Sequence, residues 1–309
     1  MPSRLRRDRS TRDDRAERRA VGRRGAASRY SQWFYLPAVL LYVVFLAVPT
    51  VVSFYFSLTR WTLFDTEFIG LKNFASFLTD QQLSSALTNT LVYGVTTAGA
   101  KIVLGTALAV FLTSELLGRG YLRAVVFFPA LVSVVGIGLT FKALLDPFHG
   151  VVNALLGFFG LPEPGWYTDP DLALLTVAGI DVWKGVGIST LILIAGLVAI
   201  PRELTEAARV DGASPGQVFR HIKFPLLAPA LGTVVLLSLI GGLRSFDLIW
   251  AVTGGGPGFS SDTIASVIYK QYQAGFYGVS TAGNVILFVV VLAIVIPLQR
   301  VLNRREHEL

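Results

Sequence analysis

The chain has 309 residues, 53% of them hydrophobic and only 15% charged, with a net charge of +7 and a mean hydropathy of +0.59. A soluble α/β enzyme of this size would show polar faces at regular spacing; the apolar runs here are long and nearly free of charge, which points to an all-α polytopic membrane protein. The absence of cysteine excludes disulfide and thiolate chemistry, and the three histidines (His149, His221, His307) lack the i, i+4 pairing of a metal-ligating helix.

The first 34 residues hold eleven Arg, four acidic residues and almost nothing apolar. Such a segment buries too little surface to order itself, so residues 1–34 are expected to be a disordered basic arm resting near anionic lipid rather than a nucleic-acid-binding element. The apolar run that follows is too long for a signal-peptide core and lacks an A-x-A cleavage pattern, so it is read as an uncleaved anchor.

Six runs are predicted as membrane spans, at residues 36–56, 87–112, 124–144, 172–199, 226–250 and 283–301. Each approaches or exceeds the roughly 20 helical residues that cross a ~30 Å hydrocarbon layer. Six crossings place both termini on one side. Of the 27 Lys and Arg, 20 fall in the N-terminal arm, the second-to-third loop (Arg119, Arg123), the fourth-to-fifth loop (Arg202, Arg209, Arg220, Lys223) and the C-terminal segment (Arg300, Arg304, Arg305). The opposite side has four, Arg60, Lys72 and Lys270 in loops and Lys142 at the end of the third predicted span. Cytoplasmic loops carry the Lys/Arg excess, so both termini are expected in the cytoplasm. The expected organisation is the arm (1–34), a six-helix domain (35–303) with a cytoplasmic loop at 201–225, and a short tail (304–309).

Charges inside spans are costly and are functional candidates by default. Asp181 and Lys184 stand i, i+3 and are expected to neutralise each other; Arg244 and Asp247 repeat that spacing. Lys101 has no local partner, so it must meet another helix or line a cavity. For the two i, i+3 pairs, structural intrahelical pairing is the competing reading.

The 201–225 loop, ending in "EAARVDGASPGQVFRHIKFP", is the one compact helix-forming charged stretch between long apolar runs. Its first part predicts a short helix with Leu204, Ala207, Ala208 and Val210 available for packing and an Arg202/Glu206 pair. Gly212 ends that helix, because glycine takes φ > 0 most easily. Ser214, Pro215 and Gln217 form a second start signal, with a capping box closed by Gln217. Val218, Phe219 and Ile222 make one apolar face before Pro225 stops the turn. On its residues alone the loop serves equally as an amphipathic connector lying on the bilayer.

The pattern Glu206-Ala207-Ala208, Asp211-Gly212-Ala213, Phe219, Ile222, Pro225-Leu226 resembles the EAA loop of ABC importer permeases. The segments "FIGLKNF", "LTNTLVY", "GRGYLRAVVFFPALVS", "WKGVGISTLILIAGLVAIPRELTEAARVDGA" and "FDLIWAVTGGGPGFSSDT" are similar to the sugar permeases that include the maltose and glycerol-phosphate systems. Lys101, near the middle of the second span, departs from the resemblance, since an apolar residue is expected there.

The resemblance implies a type I importer permease fold, with both termini cytoplasmic and the loop docking into a groove of an ATPase subunit. It implies the roles of the loop residues: Glu206 as the ionic contact, Gly212 as the seating turn, Ala207 and Ala208 as small residues permitting close approach, with Asp211 and Ala213 in the same docking stretch. The implied partners are a pair of ATPase subunits, a second homologous permease, an extracytoplasmic solute-binding protein and membrane lipid. The chain has no G-x-x-x-x-G-K-[ST] stretch, so ATP and Mg²⁺ belong to the ATPase subunits and this chain is expected to be non-catalytic, with no cofactor or metal of its own. For a carbohydrate importer the candidate substrate path is Lys101, Asp181, Trp183, Lys184, Arg244, Phe246 and Asp247, with aromatics suited to stacking on a sugar. A non-sugar solute and, more remotely, a polytopic membrane enzyme are the alternatives; the second would need paired acids or a histidine cluster at membrane depth. "TGGGPG" reads either as a flexible outer loop reaching toward a binding protein or as a tight structural turn.

Overall fold

The structure, a computed structural model, describes residues 32–62, 64–114 and 117–307. The basic arm expected at 1–34 therefore lies, but for its last three residues, outside the described residues. The chain divides into two compact units, residues 1–52 and 53–309.

The described part of the first unit is the greater part of helix α1 (Trp33–Phe56). Its apolar side chains are exposed along most of its length. One π turn at Val43–Ala47 lies just before Pro49, whose missing N–H interrupts the i→i−4 ladder there.

The second unit opens with an antiparallel hairpin, β1 (Thr59–Trp61) and β2 (Thr66–Phe68), with Thr59 opposite Phe68. Asn73, on the amphipathic helix α2 (Lys72–Thr79), donates to the carbonyls of Ser57 and Thr59, both at 2.8 Å, and seals the hairpin. Helix α3 (Gln81–Thr113) follows, its N-terminus capped by the Asp80 carboxylate, which accepts from the amides of Gln82 and Leu83.

The third predicted span is not one helix. α4 (Arg119–Leu131) and α5 (Val134–Leu144) meet at 97°. Pro129 removes a ladder bond near the end of α4, and Val132 and Ser133 turn extended, with ψ of 145° and 134°. After α5, Asp146 accepts the amides of His149 (2.8 Å) and Phe148 (3.0 Å), which hold its carboxyl below the ordinary range. The Tyr167 hydroxyl donates to the same carboxylate at 3.1 Å, and partial burial followed by that bond raises the phenol. α6 (Val151–Phe158) is tied into this loop through Asn153, which accepts from Trp166 Nε1 at 2.6 Å.

α7 (Ala173–Ala199) matches the fourth predicted span. Then come α8 (Arg202–Val210) and α9 (Pro215–Leu226), which joins α10 (Ala228–Leu243) at 66°. α10 ends short of the expected residue 250: Arg244–Phe246 break the helix before α11 (Asp247–Val252). α12 (Ile264–Gln273) and α13 (Tyr277–His307) complete the chain, α13 running several residues past both ends of the predicted sixth span. Among the described residues, four helices are long and apolar enough to cross a membrane, or up to six if each bent pair forms one span.

α3 is the central helix of the second unit; it packs along α7 and crosses α10. Small residues bring the backbones together: Gly94 faces Gly242 and Leu243, and Gly105 faces Ser189. One buried core gathers Tyr93, Ile137, Val177 and Ile249; a second gathers Leu112, Leu193, Leu227 and Val234. A third, around Phe77, Ala86 and Val267, fastens α2 and α12 to α3 and α13.

Candidate functional site

The sequence marks two regions, the 201–225 loop and the charged interior of the spans. In the loop, α8 starts after Pro201 and ends in a left-handed residue, Gly212, at φ +81°. The amide of Gly212 bonds the carbonyl of Arg209 and that of Ala213 bonds the carbonyl of Ala208, a Schellman ending. Ser214 then caps α9: its hydroxyl accepts from the Gln217 amide, and the Gln217 side chain accepts from the Ser214 amide at 2.8 Å. Both turns form where the sequence places them.

Two details differ. Pro225 does not stop the helix; a π turn at Phe219–Lys223 widens the backbone ahead of it, and α9 runs on to Leu226. Nor do Arg202 and Glu206 form the expected ion pair.

Much of α8 faces outward. Glu206 and Ala207 are exposed, Ala208 is half-buried, and past the helix end Asp211 and Gly212 are exposed and Ala213 half-buried. Leu204 and Val210, expected to pack, are exposed as well, Val210 at 87%. Behind the helical hairpin formed by α8 and α9 lies a cavity of about 630 Å³. Its walls come from the ends of α3 and α7, the start of α4, and α8 and α9.

Inside the spans, Lys101 finds its partner on another helix. Its Nζ lies 2.7 Å from Asp181 Oδ2 across the α3–α7 contact, with side chains 9% and 20% exposed. This corrects the expected Asp181–Lys184 pair. Gly185 explains the choice, because a Cβ there would meet the Lys101 chain; the glycine opens the groove along which Lys101 reaches Asp181. Lys184 is half-buried and in no ion pair among the described residues. The Arg244–Asp247 pair is corrected too: the helix breaks between them, the i, i+3 geometry is lost, and both are exposed.

Of the aromatics, Trp183 meets Phe141 edge-on at 5.1 Å. Phe246 stacks on Trp250 at 5.7 Å, and Tyr269 of α12 closes against both, at 5.3 and 4.9 Å. The structure thus brings together Lys101 with Asp181, and Phe246 with Trp250. Tyr269 escaped the sequence reading because it is polar-tipped and lies in another helix, with no periodic signal connecting it to Phe246.

A third cluster was also missed. Asp262 is fully buried and accepts from Ser266 Oγ and Lys270 Nζ, each at 2.7 Å. Asn89 of α3 donates to the carbonyls of Ser260 (3.0 Å) and Asp262 (2.9 Å), and the Thr90 hydroxyl accepts the Ile264 amide at 2.9 Å. Gly254 and Gly255 sit at φ +60° and +88°, and the Ser261 hydroxyl spans from Thr253 Oγ1 to the Gly256 carbonyl. Of the two readings of "TGGGPG", the tight structural turn is the one formed.

A family profile described as binding-protein-dependent transport system inner membrane component matches residues 24–308. The chain is 35% identical over 263 residues to the trehalose/maltose transport system permease protein of Thermococcus litoralis, covering 84% of this chain and 89% of that one. It is 32% identical over 286 residues to the multiple sugar-binding transport system permease protein of Streptococcus mutans, covering 91% and 98%. A chain from the crystal structure of a bacterial ABC transporter involved in the import of alginate superposes with a TM-score of 0.78 at 24% identity, covering 88% of this chain and 94% of that chain, a likeness of fold.

Proposed function

The chain belongs to the family of binding-protein-dependent transport system inner membrane components, and from that premise we propose that it is the permease subunit of an ATP-driven importer of an oligosaccharide. The observation that carries the reading is the outward-facing α8–α9 hairpin. Its backbone is fixed by the Schellman ending and the capping box, while Leu204, Glu206, Ala207 and Val210 stay uncovered. A rigid projection with an open mixed surface suits docking into a partner better than lying idle.

Both termini and the hairpin are cytoplasmic, by the distribution of Lys and Arg. The hairpin seats in a groove of one of two ATPase subunits, which carry the ATP and Mg²⁺. Glu206 makes the ionic contact, Ala207, Ala208 and Ala213 allow close approach, and Asp211 and Gly212 form the turn. When the ATPase pair closes, α8 moves with it. α9 transmits that movement to α10, which begins two residues after α9 ends. A second homologous permease completes the pore, and an extracytoplasmic binding protein delivers the sugar. Phe246 and Trp250, with Tyr269, offer ring faces to a sugar, and Trp183, Lys184, Arg244 and Asp247 complete the path beside the Lys101–Asp181 pair. The substrate class rests on the sugar-transport relatives.

With no native cysteine, a single Ala208→Cys substitution provides a clean test. The variant is coexpressed with candidate ATPase subunits carrying one cysteine in the groove, and disulfide cross-linking in membranes is measured with and without ATP. The expected result is a cross-link whose yield changes with nucleotide. No cross-link at 208 or at its neighbour Ala207, with both proteins folded and present, sinks the docking assignment.

A further inference from the structure

The cavity behind α8 and α9 gathers more charge than the docking contact at Glu206, which is one of its wall residues, accounts for. Its walls carry four cations, Arg119, Arg202, Arg209 and Lys223, against a single anion, Glu206. None of these five is in an ion pair among the described residues. The cations come from three elements, α4, α8 and α9, so their convergence is made by the fold and not by one basic run.

Helix ends supply the first counter-charge to consider. The C-termini of α3 and α7 open on the cavity, each equivalent to about half a negative charge. The α3 end is already served, because Arg123 donates to the Leu112 carbonyl at 2.7 Å. The Nε of that arginine is buried without a hydrogen-bond partner. A net positive charge remains after the dipoles are counted.

The remaining chemistry of the walls is mixed. Val110, Leu197 and Val198 are apolar, and Thr113, Ser114 and Thr205 bring hydroxyls. At about 630 Å³ the volume is that of a small-molecule site. Three arginines with one lysine favour an oxyanion with several acceptor oxygens, since guanidinium forks bind phosphate in bidentate fashion.

We propose that this cavity binds a phosphate group, carried either by an anionic phospholipid headgroup or by a soluble phosphorylated metabolite. Its position lets the bound anion bridge α8 and α9 to the ends of α3 and α4, and so stiffen the root of the hairpin. The assignment does not depend on what the chain transports.

The full chain is reconstituted in nanodiscs of phosphatidylcholine alone and of phosphatidylcholine mixed with phosphatidylglycerol. Retained lipid is measured by native mass spectrometry, and binding of radiolabelled inorganic phosphate by equilibrium dialysis. The wild type should retain phosphatidylglycerol over phosphatidylcholine, or bind phosphate saturably. Removing one cation in Arg202→Gln should weaken the binding about fivefold, and Arg202→Gln/Lys223→Gln about 25-fold. Arg202→Lys should keep most of it. Selective lipid retention without phosphate binding assigns the headgroup; the reverse assigns a soluble metabolite. Should the double variant fail to fold, Arg209→Gln, on an exposed position, takes its place with the single-cation loss expected. A wild type that discriminates neither probe, or variants that bind as the wild type does, overturns the proposal.

Discussion

The turn at residues 253–270 and the hairpin at 202–226 are both short polar stretches between apolar helices, and they use their polar groups in opposite ways. In the turn, Asp262 is fully buried and bonded to Ser266 and Lys270, and Asn89 reaches in from α3 to hold two carbonyls. The hairpin satisfies its backbone through the Schellman ending and the capping box but leaves its cations without ion pairs among the described residues and Val210 bare. Apart from Ser260 Oγ, the buried side-chain polar groups of the turn are bonded, so the turn is a closed structural unit. Exposed unpaired charge on a rigid backbone costs little by itself and is available to a partner. The contrast separates what holds this protein together from what it presents.

The largest expected effect breaks the closed side. Lys270→Met leaves the fully buried Asp262 carboxylate without its cation, and should cost about 3–5 kcal/mol. Thermal unfolding of the purified protein reads this directly, and Asp262→Ala/Lys270→Met should regain part of the loss. An unchanged melting temperature in the single variant would mean that the turn is not held by this pair.

The Lys101–Asp181 link is intermediate. It joins two helices inside the protein, but Asp181 keeps 20% of its side chain accessible, so the cost of stranding it is smaller. Lys101→Met should destabilise by about 2–3 kcal/mol, and Lys101→Met/Asp181→Leu should recover most of that, since an apolar pair can replace a buried ion pair. A double-mutant cycle on thermal stability measures the coupling; additive effects would remove the pair from the account.

The smallest effect lies on the open side. Nothing stands within 4 Å of a Cβ built at Gly212, so Gly212→Ala costs only the positive-φ strain. That is about 1 kcal/mol in global stability. The same change should lower substrate-stimulated ATP hydrolysis by the assembled importer well beyond what so mild a destabilisation explains. Wild-type coupling in this variant would argue that the turn geometry is dispensable.

Local rules made the hairpin legible. Ser214, Pro215 and Gln217 specify a cap within four residues, and Gly212 needs no distant neighbour to adopt φ > 0. The interior was less legible because proximity in sequence is a poor guide to partners there. Asp181 lies three residues from Lys184 yet bonds Lys101, 80 positions away, because α3 and α7 pack face to face and Gly185 leaves room.

The amino-acid sequence by itself determined a helical membrane protein, the approximate place of its apolar helices and the capped hairpin, since hydropathy and capping act over a few residues. Only the tertiary structure decided where the third and fifth spans break, which charges pair, that "TGGGPG" closes as a tight turn, and that four cations from three elements converge on one cavity. Those outcomes depend on which helix faces which. Burial makes such choices consequential, because an unpaired polar group costs far more inside the protein than at its surface.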